Sequence, residues 1–278
     1  MGKWQRVSGR YLDVNGVRLY CDIDGHGPSI LLLHGFTGTS KVWRPFTDSL
    51  AKHHRVVAVD VLGHGNSDAP ASPQRYGMTE TVNDLFDLMT QLGDEQFACL
   101  GYSMGGRIAL SMAAMQPSRI RALVLESASP GLREAEERTA RMERDERLAM
   151  DIERNGIEWF VHMWENIPLF ESQQSLPPDV QQVQRDGRLQ QRAKGLAGSL
   201  RGAGTGAQPS WWGHLRELTM PVLLLTGEKD RKFTEIASQM AKELPHCDHV
   251  EFERTGHCIH LEQPARFEHT IAEFLRRT

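Results

Sequence analysis

The stretch Leu100-Gly101-Tyr102-Ser103-Met104-Gly105-Gly106 decides how the rest of the chain is read. It closes the apolar run Phe97-Ala98-Cys99-Leu100, which reads as a buried strand, and opens residues 105–115, which read as a helix. A serine at such a junction, with glycine two positions to either side, needs a turn so sharp that small residues must flank it. Its hydroxyl then projects clear of the backbone. The helix that follows aims its N-terminal dipole and free N–H groups at any negative charge forming there. A serine that merely caps a helix would not require both glycines.

Outward from this point, short β-branched and leucine runs bounded by turn residues read as further strands. They are Ile30-Leu31-Leu32-Leu33, Val56-Val57-Ala58-Val59-Asp60, Ala122-Leu123-Val124-Leu125, Val222-Leu223-Leu224-Leu225 and, more weakly, residues 249–253. Near the start, residues 11–14 and 17–22 flank Asn15-Gly16, a strong two-residue hairpin signal. Helical patterns occupy 78–92, 105–115, 234–244 and 264–277. Alternating strands and helices predict a mostly parallel, twisted α/β sheet of about eight strands, covered by helices on both faces and opening with an antiparallel hairpin. The alternation stops between residues 130 and 218. A charged helix over 133–152, the stripe Ile157, Phe160, Val161 and Trp164, a break at Pro177-Pro178 and the glycine-rich residues 195–206 fall there. The organisation is therefore a core of residues 1–129 and 219–278 with a helical lid, 130–218, over the carboxyl ends of the strands.

Composition sets limits on partners. The 278 residues carry a net charge of −4, so no general field attracts nucleic acid. Cys21, Cys99, Cys247 and Cys258 show no disulfide or zinc-ribbon spacing. The first residues lack an apolar signal core, and no run approaches the roughly 18 apolar residues of a membrane span. The expectation is a cytoplasmic protein with no nucleic acid and no membrane insertion. Monomer and dimer are both open.

A serine hydroxyl becomes a base or nucleophile only when a neighbour takes its proton. Asp230, in Thr226-Gly227-Glu228-Lys229-Asp230, lies just past a strand end, and His257 follows the last strand in Thr255-Gly256-His257-Cys258. Their order after Ser103 is that of the α/β-hydrolase fold, in which Asp230 would fix the imidazole tautomer and His257 would accept the serine proton. Glu126, at the end of the strand after the serine helix, competes for the role of acid. Asp60 also ends a strand, but the residues after it read as a tight structural loop. His246, Cys247, His249, His257, Cys258 and His260 could suggest a metal, yet they flank one extended strand without standard ligand spacing, so no metal is expected. His34-Gly35-Phe36-Thr37-Gly38 lies where this fold builds half of an oxyanion hole, pairing the N–H of Phe36 with that of Met104.

With these residues in view, the chain resembles the 2-succinyl-6-hydroxy-2,4-cyclohexadiene-1-carboxylate synthases, lyases of menaquinone (vitamin K2) biosynthesis. The resemblance runs nearly end to end, through residues 33–38, 101–107, 129–132 with 135–138 and Arg141, 160–170 around Trp164, 204–210, 227–233 and 256–257. It implies elimination of pyruvate from 2-succinyl-5-enolpyruvyl-6-hydroxy-3-cyclohexene-1-carboxylate, with no cofactor. The triad would remove a proton α to the succinyl ketone while fixed donors hold the enolate. Such a small polycarboxylate calls for guanidinium groups. Arg107, one helical turn after Ser103, could face the same cleft. The resemblance adds Tyr102, Arg141, Trp164 and Arg192 as substrate contacts. A carboxylesterase or acyl hydrolase using the same triad, and a non-catalytic ligand receptor on the same fold, are the alternatives.

Overall fold

The structure, a computed structural model, describes residues 8–278. The hairpin pairs β1 (Ser8–Val14) with β2 (Val17–Asp24), and Asn15 and Gly16 close it with φ of 45° and 82°. Both central residues of this turn type need positive φ, which Asn-Gly tolerates. Then come β3 (Ser29–Leu33), α1 (Arg44–Leu50), β4 (Arg55–Val59), α2 (Met78–Gln91), β5 (Phe97–Tyr102), α3 (Met104–Met115) and β6 (Ile120–Glu126). Three helices follow, α4 (Ala135–Trp164), α5 (Pro178–Leu189) and α6 (Ala193–Ala203). The chain finishes with β7 (Val222–Gly227), α7 (Arg231–Ala241), β8 (Cys247–Phe252), the short α8 (Ile259–Glu262) and α9 (Pro264–Arg276).

The eight strands form one sheet in the order β1-β2-β4-β3-β5-β6-β7-β8. β2 pairs antiparallel with both β1 and β4, and every other neighbouring pair is parallel. In β3, Ile30 and Leu32 pack into a layer with Phe46, Phe267 and Ile271, whereas Leu31 and Leu33 pack into the opposite layer with Leu85, Ile108 and Met112. A strand buried on both faces has no polar side, which explains its unbroken apolar run. Helix α1, absent from the sequence-based expectation, buries Phe46, Thr47 and Leu50.

Between β6 and β7, helices α4 and α6 share their own apolar cluster of Ile152, Phe160, Val161, Leu196 and Leu200. Gly156, with φ 83° and ψ 177°, kinks α4 midway. Arg201 on α6 ties back to Glu146 and Glu153 on α4 through bonds of 2.7–3.0 Å. The glycine-rich segment is largely helix, and close packing accounts for its glycines. A Cβ at Gly195 would lie 2.0 Å from the Gly63 carbonyl oxygen, and one at Gly198 would lie 2.6 Å from the Tyr76 ring. Among the described residues, no helix is long and apolar enough to cross a membrane.

Because the neighbour of Gly195 is backbone and cannot swing aside, Gly195→Ala should lower unfolding free energy by about 1–3 kcal/mol. Gly187→Ala, with nothing within 4 Å of the added methyl, should hold or raise stability by up to about 1 kcal/mol. Urea denaturation compares the two. Equal stabilities would contradict the packing account.

Candidate active site

Strand β5 hands over to helix α3 through Ser103, whose φ of 51° and ψ of −106° are unusual for a residue with a side chain. Such a conformation costs on the order of 1–3 kcal/mol and persists only where its surroundings enforce it. Here the Ser103 N–H donates to the Glu126 carbonyl at 2.8 Å, and the Ser103 carbonyl accepts from the Arg107 N–H at 3.0 Å. A Cβ at Gly101 would meet the Gly105 carbonyl at 2.2 Å, and one at Gly105 would meet the Leu33 carbonyl at 2.1 Å. Both glycines are thus required by contact.

Asp230, just after β7, and His257, after β8, converge on the serine. The His257 Nδ1–H donates to Asp230 Oδ2 at 2.6 Å, which fixes the tautomer, and the Ser103 hydroxyl lies 2.9 Å from His257 Nε2. His257 is buried, with Phe233 at 4.7 Å and Tyr102 at 5.4 Å between ring centroids. The competing carboxylates are engaged elsewhere. Asp60 accepts the N–H groups of Ser40 and Asn66 at 2.6 and 2.8 Å, and Glu126 holds His260. The histidines and cysteines near β8 do not assemble as one group. His249 bonds Thr226, whereas Cys258 and His260 draw together with Glu126, their ligand atoms within 4.8 Å.

The loop after β3 is held by a buried histidine. His34 Nδ1–H donates to the Gly35 carbonyl at 2.8 Å and its Nε2 accepts from Val61 N–H at 3.0 Å, an arrangement that needs a neutral ring. Burial draws its pKa down to about 4, and burial followed by the charge of His34 draws that of His64 down to about 3. Phe36 and Met104 line the same cavity as Ser103 and His257. The N–H of Met104, first in its helix, has no partner within that helix.

This cavity, about 210 Å³, is also lined by Tyr102, Arg107, Arg141 and Trp164. Arg107 directs Nη1 to the Ala203 carbonyl and Gln208 Oε1 at 2.9 and 3.0 Å. Burial first, and the charge of Arg141 second, pull its pKa down to about 10. Arg141 pairs with Asp145 at 2.8 Å. Trp164 belongs both to the wall and to the insertion core, stacking on Phe160 at 5.3 Å, and its buried indole N–H has no partner among the described residues.

Arg192 is the exception. It precedes α6, its guanidinium donates to the Ser67 carbonyl, and it lines neither cavity beside the serine. The guanidinium that does face this region belongs to Arg188, missed in the sequence. It is 8% exposed, stacks over Phe170 at 5.1 Å and lines an adjoining cavity of about 420 Å³ that shares Phe36, Tyr102 and Phe170 with the first. A signal existed: Val180, Val183, Gln184, Gly187 and Arg188 recur at helical spacing along α5 and all line that space.

The chain belongs to the alpha/beta hydrolase fold family, which matches residues 28–264. Within that fold its similarity is more specific. It is 45% identical over 94% of its length to a Bacillus subtilis protein provisionally named 2-succinyl-6-hydroxy-2,4-cyclohexadiene-1-carboxylate synthase, covering 96% of that protein. A Salmonella heidelberg protein of the same name is 31% identical over 90% of this chain and 94% of its own. Among solved structures, MenH from S. aureus superposes with a TM-score of 0.87 at 32% identity, covering 97% of this chain and 98% of that one.

The buried neutral histidines carry a pH signature. Unfolded, each would titrate near 6.5; folded, His34 and His64 do so near 4 and 3. The unfolded chain therefore binds the protons first, so this contribution is complete above about pH 6.5 and is lost as pH falls through 4 for His34 and 3 for His64. Between pH 7 and pH 5, wild type should lose about 2 kcal/mol more than His64→Gln, at 1.36 kcal/mol per pKa unit. Denaturant unfolding at both pH values checks this, and equal losses would contradict it.

Proposed function

We propose that the chain is a lyase that eliminates pyruvate from 2-succinyl-5-enolpyruvyl-6-hydroxy-3-cyclohexene-1-carboxylate, giving 2-succinyl-6-hydroxy-2,4-cyclohexadiene-1-carboxylate. The observation that carries this reading is the pair Arg107 and Arg141 on the wall of the serine cavity, with Asp145 the carboxylate that offsets them. Two cations so close in a partly dry site favour an anionic occupant. An ester substrate makes no such demand. The similarity to proteins named for this reaction supports the same choice.

In the proposed mechanism the Ser103 oxygen takes the proton α to the succinyl ketone as its own proton passes to His257, whose cationic form Asp230 stabilises. Negative charge moves onto the ketone oxygen, which sits between the N–H groups of Phe36 and Met104. As that charge returns, the ring double bond shifts and the carbon–oxygen bond to the enolpyruvyl group breaks. The group leaves as the enolate of pyruvate, takes up the proton held on His257 and ketonises to pyruvate, and the ring becomes a diene. Residues 130–218 act as the lid that excludes water, with Trp164 and Tyr102 packing the ring. Arg107 and Arg141 bind carboxylates in the inner cavity, and Arg188 binds one in the adjoining space. Arg192 plays no part. The four cysteines are free, which fits a reducing compartment, and the cytoplasm is the compartment proposed.

The test supplies the enolpyruvyl substrate and follows pyruvate, with a simple ester as control. Wild type should release pyruvate far faster than it cleaves the ester, and Ser103→Ala should lose about 10²–10⁴-fold in pyruvate release. Brisk ester cleavage without pyruvate would favour the hydrolase. Arg107→Ala should cost about 1.5–3 kcal/mol in kcat/KM, the scale of a hydrogen bond to a charged group. Unchanged constants would remove Arg107 from the site.

A further inference from the structure

We propose that Glu126 is a positioning residue that sets the separation of Ser103 and His257, acting through His260. Glu126 is fully buried at the end of β6. Its carbonyl accepts the Ser103 N–H at 2.8 Å. Its carboxylate Oε1 accepts the His260 N–H at 3.0 Å, and the His260 ring Nδ1–H donates to both carboxylate oxygens at 2.8–2.9 Å. One residue thus grips the serine with its main chain and, with its side chain, a position three residues past His257.

The turn carrying His257 is pinned on its other side as well, where the Gly256 N–H donates to Glu262 Oε2 at 2.7 Å. The His260 ring cannot swing out, because Trp43 and Tyr102 pack on it with centroids at 4.9 and 4.8 Å. Tyr102 in turn lies against His257. Burial alone would drive the imidazole toward neutrality, but the Cys258 sulfur and the Glu126 carboxylate outweigh it and hold its pKa well above the ordinary histidine value. The contact is then a charge-assisted bond inside the core, stiffer than a neutral one. The bonds of Glu126 run to His260 while Asp230 holds His257, so Glu126 adjusts geometry and relays no proton.

A shift of about 1 Å in a reacting pair can cost on the order of 10²-fold in rate. The inference rests on Ser103 and His257 working together, and turnover as a readout rests on the lyase reading. The experiment therefore pairs turnover with a signal that needs no substrate. In full-length Glu126→Ala and Glu126→Gln, pyruvate release gives kcat and KM, and ¹⁵N NMR of labelled histidine reports the His257 Nε2 environment, with Ser103→Ala marking the shift of an imidazole lacking its serine partner. Glu126→Ala should lower kcat on the order of 10²-fold with KM within about twofold, and move the Nε2 signal toward the Ser103→Ala position. Glu126→Gln keeps an oxygen for the His260 N–H and should fall between. A folded Glu126→Ala with wild-type kcat and Nε2 signal would overturn the proposal, as would an effect on KM alone. If Glu126→Ala does not fold, an unchanged signal in Glu126→Gln overturns it. If wild type releases no pyruvate, the lyase reading fails and the Nε2 signal alone decides this one.

Discussion

The structure depends on one close approach. Strand β5 can turn directly into α3 only because Gly101, Gly105 and Gly106 let backbone meet backbone where any Cβ would collide. That contact places Ser103 in a conformation costing on the order of 1–3 kcal/mol, which the flanking hydrogen bonds and a sheet buried on both faces sustain. A relaxed serine would drop its hydroxyl back toward the helix. The strain sets the hydroxyl at the carboxyl edge of the sheet, where the turns after β7 and β8 can reach it.

The insertion is fastened to the core at the points that shape the site. Gln191 donates to the carbonyls of Thr37 and Gly38 and accepts from the Gly65 N–H, all at 3.1 Å, so a residue between α5 and α6 steadies the loop carrying Phe36. Arg107 reaches from α3 into the insertion at Ala203 and Gln208. A guanidinium is well suited to this double duty, since its planar fork can hold protein acceptors on one side and a carboxylate on the other. Lost packing and lost charge would both follow from removing it.

Much of this was legible in the sequence, for identifiable reasons. The serine turn, the Asn15-Gly16 hairpin and the acid and histidine loops are local rules, set by steric demands within a few residues, and the sheet followed from strand composition. The rest depended on distant contacts. Gly195, Gly198 and Gly202 fall on the face of α6 that meets the loop containing Gly63 and the Tyr76 ring, a close approach that glycine content alone cannot express. Arg192 and Arg188 differ by about one helical turn, and choosing between them required knowing where α5 ends and which face it turns inward. On sequence alone Glu126 rivals Asp230, because the decisive contact, with His260, joins residues 134 positions apart.

The central claim is that the Ser103 oxygen acts as a base toward carbon, with no acyl bond to the serine. The most direct measurement is a kinetic isotope effect on pyruvate release, using substrate deuterated at the carbon α to the succinyl ketone. If proton abstraction by the serine relay limits the rate, kcat/KM falls severalfold on deuteration and intact-protein mass spectrometry during turnover finds no adduct. An isotope effect of unity together with a covalent acyl-serine would contradict the account.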